Sequence, residues 1–186
     1  MRSTLRTSLL LVALSAGVAG AQTQAGAAAS FPAVGEAAPD FSATATDSSG
    51  KPIAVSLQAL RGKVVVLAFY PGDRTRGCTA ELTKFRDEYA TMFGEGVVVL
   101  PTSIDSLGSH ASWAKDAHFP FAMIADQQSE LAKKYGSQGT ARPNFQRTVF
   151  VIGKDGKITY RDTRFNALAQ DGYDALAAEI KKAKGA

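Results

Sequence analysis

Apolar and polar positions alternate from Phe41 to Ala45, a turn follows at Ser48-Ser49-Gly50, and Pro52 to Val55 resumes the pattern, which predicts a β-hairpin. Val64 to Tyr70 is an uninterrupted apolar run between Gly62 and Pro71. A strand covered on both faces has that signature, so it belongs in the middle of a sheet. Leu82, Phe85, Tyr89 and Phe93 then recur at helical spacing, predicting a helix from about Cys78 to Met92 that stops at Gly94. The alternation continues with a strand over Val97–Pro101, a helix over Ser109–Ala117 carrying Trp113, a strand over Phe121–Ala125 and a helix over Gln128–Tyr135. Thr148–Ile152 and Lys157–Arg161 flank Gly153-Lys154-Asp155-Gly156, a hairpin signal, and Gly172–Lys184 closes as an amphipathic helix. Strands alternating with helices imply a parallel core. With antiparallel strands at one edge, the expected fold is an α/β sandwich with a central mixed sheet, flanking helices and an N-terminal hairpin extension.

The first residues do not belong to that pattern. Arg2 and Arg6 precede a short apolar stretch from Leu9 to Val18, and Ala19-Gly20-Ala21 offers small residues to a signal peptidase. The stretch is shorter than the roughly 20 apolar residues a membrane span needs. Residues 1–21 therefore read as a signal peptide, 22–34 as a flexible Ala-, Gln- and Gly-rich leader, and 35–186 as one domain. This predicts a periplasmic or secreted protein with no membrane attachment after cleavage. No cysteine follows the apolar stretch to accept a lipid anchor. Cleavage lowers the formal charge from +4 to +2, and the basic residues form no stripe, which argues against a nucleic-acid partner. Lys181, Lys182 and Lys184 suit a helix C-terminus, where cations complement the dipole.

The chain has one cysteine, Cys78. Structural disulfides in exported proteins pair cysteines within a chain, which Cys78 cannot do. It is an inert buried thiol, an intermolecular linker or a reactive group. Its predicted place, in the first helical turn after a central strand, is where α/β sheets collect function. There the helix dipole and the unpaired N–H groups favour thiolate. Arg74 and Arg76 add positive potential and Glu81 opposes it.

The run Tyr70-Pro71-Gly72-Asp73-Arg74-Thr75-Arg76-Gly77-Cys78-Thr79 resembles the peroxiredoxin active-site motif, Pro-x-x-x-Thr-x-x-Cys. Gly35 to Phe41, Leu60 to Val66, Ser109 to Trp113, Phe119 to Phe121 and Arg147 to Ile152 extend the resemblance over nearly the whole domain. Gly77 to Glu81 resembles the bacterioferritin comigratory protein, or peroxiredoxin Q, type. The resemblance implies a thioredoxin-like fold and a thiol peroxidase acting on hydrogen peroxide or organic hydroperoxides. Cys78 then corresponds to the peroxidatic cysteine, Thr75 to the hydroxyl that hydrogen-bonds peroxide, Pro71 to the residue shielding the sulfur, and Arg147 to the arginine stabilising thiolate and transition state. A thiol of pKa ~8.5 is roughly 3 % ionised at pH 7, so complete ionisation gains only about thirtyfold. Orientation of the O–O bond and hydrogen bonds to the leaving oxygen must supply the rest.

Two positions depart from the family pattern. Thr83 stands where many members of this type carry a resolving cysteine, and Arg76 stands where proline is usual. The one-cysteine form implies reduction by an external thiol, either a thioredoxin-like protein or a low-molecular-weight thiol, with no other cofactor and no metal. The assembly is read as a monomer or homodimer. Two rival readings use the same scaffold: a thioredoxin-like thiol–disulfide oxidoreductase, which normally needs a second cysteine where Thr75 stands, and a noncatalytic binding or chaperone module. His110 and His118 are too few for a zinc site and read as a helix-surface and a loop residue. Trp113 reads as core with Phe85 and Tyr89.

Overall fold

The computed structural model describes residues 31–139 and 144–185. The predicted signal peptide and residues 22–30 of the predicted leader lie outside them. The remaining leader packs: Arg161 Nη1 donates to the carbonyls of Phe31 and Pro32, both at 3.1 Å, and the guanidinium lies over the Phe31 ring. The packed chain thus reaches back beyond Gly35.

In chain order the strands are β1 (Ser42–Thr46), β2 (Pro52–Ser56), β3 (Val64–Phe69), β4 (Val97–Ser103), β5 (Met123–Ala125), β6 (Thr148–Ile152) and β7 (Ile158–Asp162). The helices are α1 (Arg76–Asp87), α2 (Leu107–Ala117), α3 (Glu130–Lys134) and α4 (Gln170–Gly185). One sheet runs in the order β2-β1-β5-β4-β3-β6-β7. Among the described residues, neighbouring strands pair in parallel only between β3 and β4 and between β4 and β5. The hairpins attach antiparallel at both edges, β1 to β5 and β6 to β3, where the sequence suggested one edge. Parallel neighbours need a helical crossover, which here only α1 and α2 provide.

The continuous apolar run of β3 has a direct consequence. All six of its residues are buried, and alternate side chains enter opposite layers. Val64, Val66 and Ala68 join Leu82 and Phe85 of α1, Trp113 of α2, and Leu176 and Ile180 of α4. Val65, Leu67 and Phe69 join Leu131 and Ala132 of α3 with Phe145 and Phe150.

Helix α1 begins at Arg76, two residues before the predicted start, and ends in a π-helical turn over Tyr89–Phe93. That wider turn buries the consecutive Met92 and Phe93, and Phe93 meets the edge of Phe85 at 5.3 Å between centroids. Strand β4 continues through Pro101 to Ser103, beyond the predicted end. Thr102 faces β3, its carbonyl accepting from Tyr70 N–H at 3.0 Å. The Pro101 nitrogen therefore points to the β5 side, where pairing involves only Thr102 and Ser103, so its missing N–H costs no ladder bond.

Phe150 is fully buried and meets the rings of Phe69 and Tyr135. Phe150→Ala is expected to cost about 3–5 kcal/mol in urea denaturation. A loss under about 1 kcal/mol would show that this layer repacks freely.

Candidate active site

Cys78 is the third residue of α1 and is fully buried. Its helix starts directly after the loop leaving the carboxyl end of β3. The β3–β6 register, Phe69 opposite Thr148, sets the residue before β6 beside that same end. That residue is Arg147, and its Nη2 donates to Cys78 Sγ at 3.3 Å although 69 positions separate the two. Gly77 makes the approach possible: a Cβ there would stand 3.1 Å from Nη2.

The other arm of the guanidinium, Nη1, is ion-paired with Glu81 Oε2. The sequence reading set Glu81 against the positive potential of the site. The structure gives it a further task, holding the Arg147 plane between α1 and β6. Its signal was an acid within the buried stripe Cys78, Leu82, Phe85, which demands a cation from elsewhere. Burial pushes the Glu81 carboxyl up to about 7, against the pull of Arg147. For Arg147, burial works against the charge, but Glu81 and Cys78 more than offset it and the guanidinium is held above its ordinary value. Glu81 Oε1 has no protein partner among the described residues.

Thr75 is the residue before α1, exposed, with its carbonyl accepting from Thr79 N–H at 2.8 Å. Its hydroxyl donates to the Gly72 carbonyl at 3.2 Å rather than to the sulfur, so its oxygen is left to accept. Pro71 is half-buried at the start of the loop. Arg74, in the left-handed region at φ 58°, turns away from the thiol: its Nη2 reaches Ser112 Oγ at 3.1 Å and Asp116 Oδ2 at 2.6 Å. Its charge is therefore matched on α2 rather than directed at Cys78. Arg76 is exposed in the first turn of α1.

His110 departs from expectation. It is fully buried, not on the helix surface, because α2 wedges it between the Cys78 loop and β5, with polar partners on both nitrogens. His118 is exposed and ends α2 in the left-handed conformation. Trp113 and Phe85 are buried in one cluster, and Tyr89 is half-buried against it.

The raised Glu81 pKa fixes a sign. The folded chain keeps a proton that the unfolded chain gives up near pH 4.5, so this group's contribution to stability is present below about pH 4.5 and is lost as pH rises to about 7. Denaturation at pH 5 and pH 8 is expected to show a larger loss for the wild type than for Glu81→Gln. Equal losses would mean that Glu81 ionises freely in the folded protein.

The AhpC/TSA family model matches residues 34–161. A Coxiella burnetii protein named as a peroxiredoxin bcp is 36% identical over 132 residues, covering 68% of this chain and 85% of its own. A chloroplastic peroxiredoxin Q of Arabidopsis thaliana is 39% identical over 127 residues, 67% of this chain, which spans only 56% of that relative's length. Among solved structures, peroxidoxin BcpB from Mycobacterium tuberculosis superposes with a TM-score of 0.69 at 28% identity, over 82% of this chain and 98% of its own. A matching family model, relatives of that kind and a seven-stranded sheet of the same fold together place the chain: it belongs to the AhpC/TSA family, among proteins named as peroxiredoxins of the bcp and Q types.

Proposed function

We propose that the chain is a one-cysteine thiol peroxidase that reduces hydrogen peroxide or organic hydroperoxides at Cys78. The observation that carries this reading is the contact between Arg147 Nη2 and Cys78 Sγ at 3.3 Å, and Cys78 ends the run resembling the peroxiredoxin motif that also holds Pro71 and Thr75. The thiolate attacks the nearer peroxide oxygen. The S–O bond forms as the O–O bond breaks, and the leaving oxygen departs as an alkoxide or hydroxide that takes up a proton. Arg147 stabilises the thiolate and the charge growing on the oxygens, while Glu81 keeps the guanidinium plane in place. The Thr75 oxygen, with its own proton committed to Gly72, accepts from the peroxide and orients it. Pro71 covers the sulfur.

The product is a sulfenic acid. With Thr83 in place of a second cysteine, an external thiol condenses with it, releasing water and leaving a mixed disulfide. A second thiol then attacks that disulfide and restores Cys78. A thioredoxin-like protein or a low-molecular-weight thiol fills this role, and the chemistry needs no prosthetic group. We further propose that the domain is exported after cleavage at Ala21 and acts as a monomer or homodimer.

One equivalent of hydrogen peroxide with dimedone is expected to give a single adduct at Cys78 by intact mass, and Cys78→Ser none. Arg147→Gln should slow oxidation by about a hundredfold or more. Slow or absent oxidation of the folded, reduced wild type would move the reading to a noncatalytic module.

N-terminal sequencing of exported material is expected to begin at Gln22. A start at Met1 would refute cleavage.

A further inference from the structure

A polar cluster outside the Cys78–Arg147–Glu81 group ties the 71–75 loop to the body of the fold. Asp73 Oδ1 accepts from the Tyr70 hydroxyl and its Oδ2 from the Ser109 hydroxyl, both at 2.6 Å. The Asp73 N–H donates to Asp105 Oδ2 at 2.8 Å, an oxygen that also accepts from Ser103 Oγ at 2.8 Å. His110 sets Nδ1 at 3.0 Å from Asp73 Oδ2 and 3.1 Å from Oδ1, and Nε2 at 3.2 Å from the Ile124 carbonyl. The His110 side chain is 0% exposed and that of Asp73 is 5% exposed.

The carbonyl contact sets the role of one ring nitrogen. A carbonyl oxygen only accepts, so Nε2 carries a proton. Burial raises the Asp73 carboxyl, but the hydrogen bond and charge of His110, then Ser109 and Tyr70, outweigh it and hold the group below its usual range. Burial and then Asp73 push the Tyr70 phenol well above its ordinary value, so it remains a donor. His110 thus bridges a β5 carbonyl and the loop carboxylate, with a polar partner on each ring nitrogen.

A buried polar pair adds little net stability, because desolvation cancels much of its attraction. It is strong as a constraint: if either partner is removed or moved, the other is left buried without its hydrogen-bond partner. The second tie, Arg74 to Asp116, lies between side chains 49% and 60% exposed and is screened by solvent. The buried pair is therefore the one that specifies loop position.

We propose that Asp73 and His110 are positioning residues, a buried carboxylate–imidazole latch that holds the loop bearing Pro71 and Thr75 against α2 and β5 and so sets the closed cover over Cys78. The proposal rests on the reading of Cys78 as the peroxide-reactive thiol. Neither residue touches the sulfur; both act through the loop.

The test is a double-mutant cycle on the full chain with Asp73→Asn, His110→Gln and both together. It reads the rate of Cys78 oxidation by hydrogen peroxide, the rate of its alkylation by iodoacetamide, and deuterium exchange by segment. Asp73→Asn is expected to slow peroxide oxidation by about tenfold or more while speeding alkylation, because an open loop exposes the sulfur yet misplaces the groups that orient peroxide. Exchange should rise over residues 71–80 and stay unchanged in β3, β4 and β6. The double variant, which removes both partners of the buried pair, should recover part of the loss, giving non-additive effects. Should Asp73→Asn fail to fold, Ser109→Ala removes one donor to the carboxylate and is expected to move both rates in the same opposite directions to a smaller extent. Unchanged rates in a folded variant, exchange rising uniformly across the sheet, or strictly additive effects would overturn the latch. If the wild-type thiol is inert to peroxide, the peroxidase reading fails, whereas alkylation and exchange still decide whether the latch exists.

Discussion

A guanidinium beneath the surface persists only where anionic or polarisable partners surround it, and Arg147 imposes that condition on three elements at once. The β3–β6 ladder delivers it to the carboxyl end of the central strand. The first turns of α1 answer with Glu81 and Cys78, three positions apart on one helical face. Strand register, helix phase and thiol environment are thus one problem with one solution. A one-residue slip of β6 would turn Arg147 to the opposite layer of the sheet and leave Glu81 buried without its cation.

The sheet makes that solution rigid. β3 is covered on both faces, so neither its position nor its pleat can adjust without disturbing two packed layers. The reactive end of the molecule combines a stiff strand, a helix start fixed by the charge cluster, and a short loop strung between them. The loop is tied to its neighbours by polar contacts of Asp73 and Arg74.

Much of this arrangement was legible in the sequence for reasons that can be stated residue by residue. Val64 to Tyr70 has no polar interruption, so no other element competes for it. Leu82, Phe85, Tyr89 and Phe93 recur at helical spacing after the loop, which puts Cys78 in the first helical turn. Strand direction at the edges was not legible, because alternation reports which face a residue occupies and says nothing of orientation. Helix α1 starts two residues before the predicted position since Thr75, not the apolar spacing, marks its beginning. The work of Glu81 and the burial of His110 were hidden because their partners lie 66 and 37 positions away. Pro101 read as a strand end because proline removes a donor; only the short reach of β5 shows that no donor was needed there.

Gly77 carries a trade-off between two kinds of fitness. Its backbone is helical, so an alanine there would gain helix propensity, though less in this first turn than the roughly 0.5–1 kcal/mol of a helix interior. The added methyl would stand 3.1 Å from Arg147 Nη2, a contact tight enough to push the guanidinium from its place beside the sulfur by a few tenths of an ångström. Selection for a sturdier fold and selection for a charged thiol pocket therefore pull this one position in opposite directions. A search guided by melting temperature alone would favour replacing the residue that admits Arg147 to its partner.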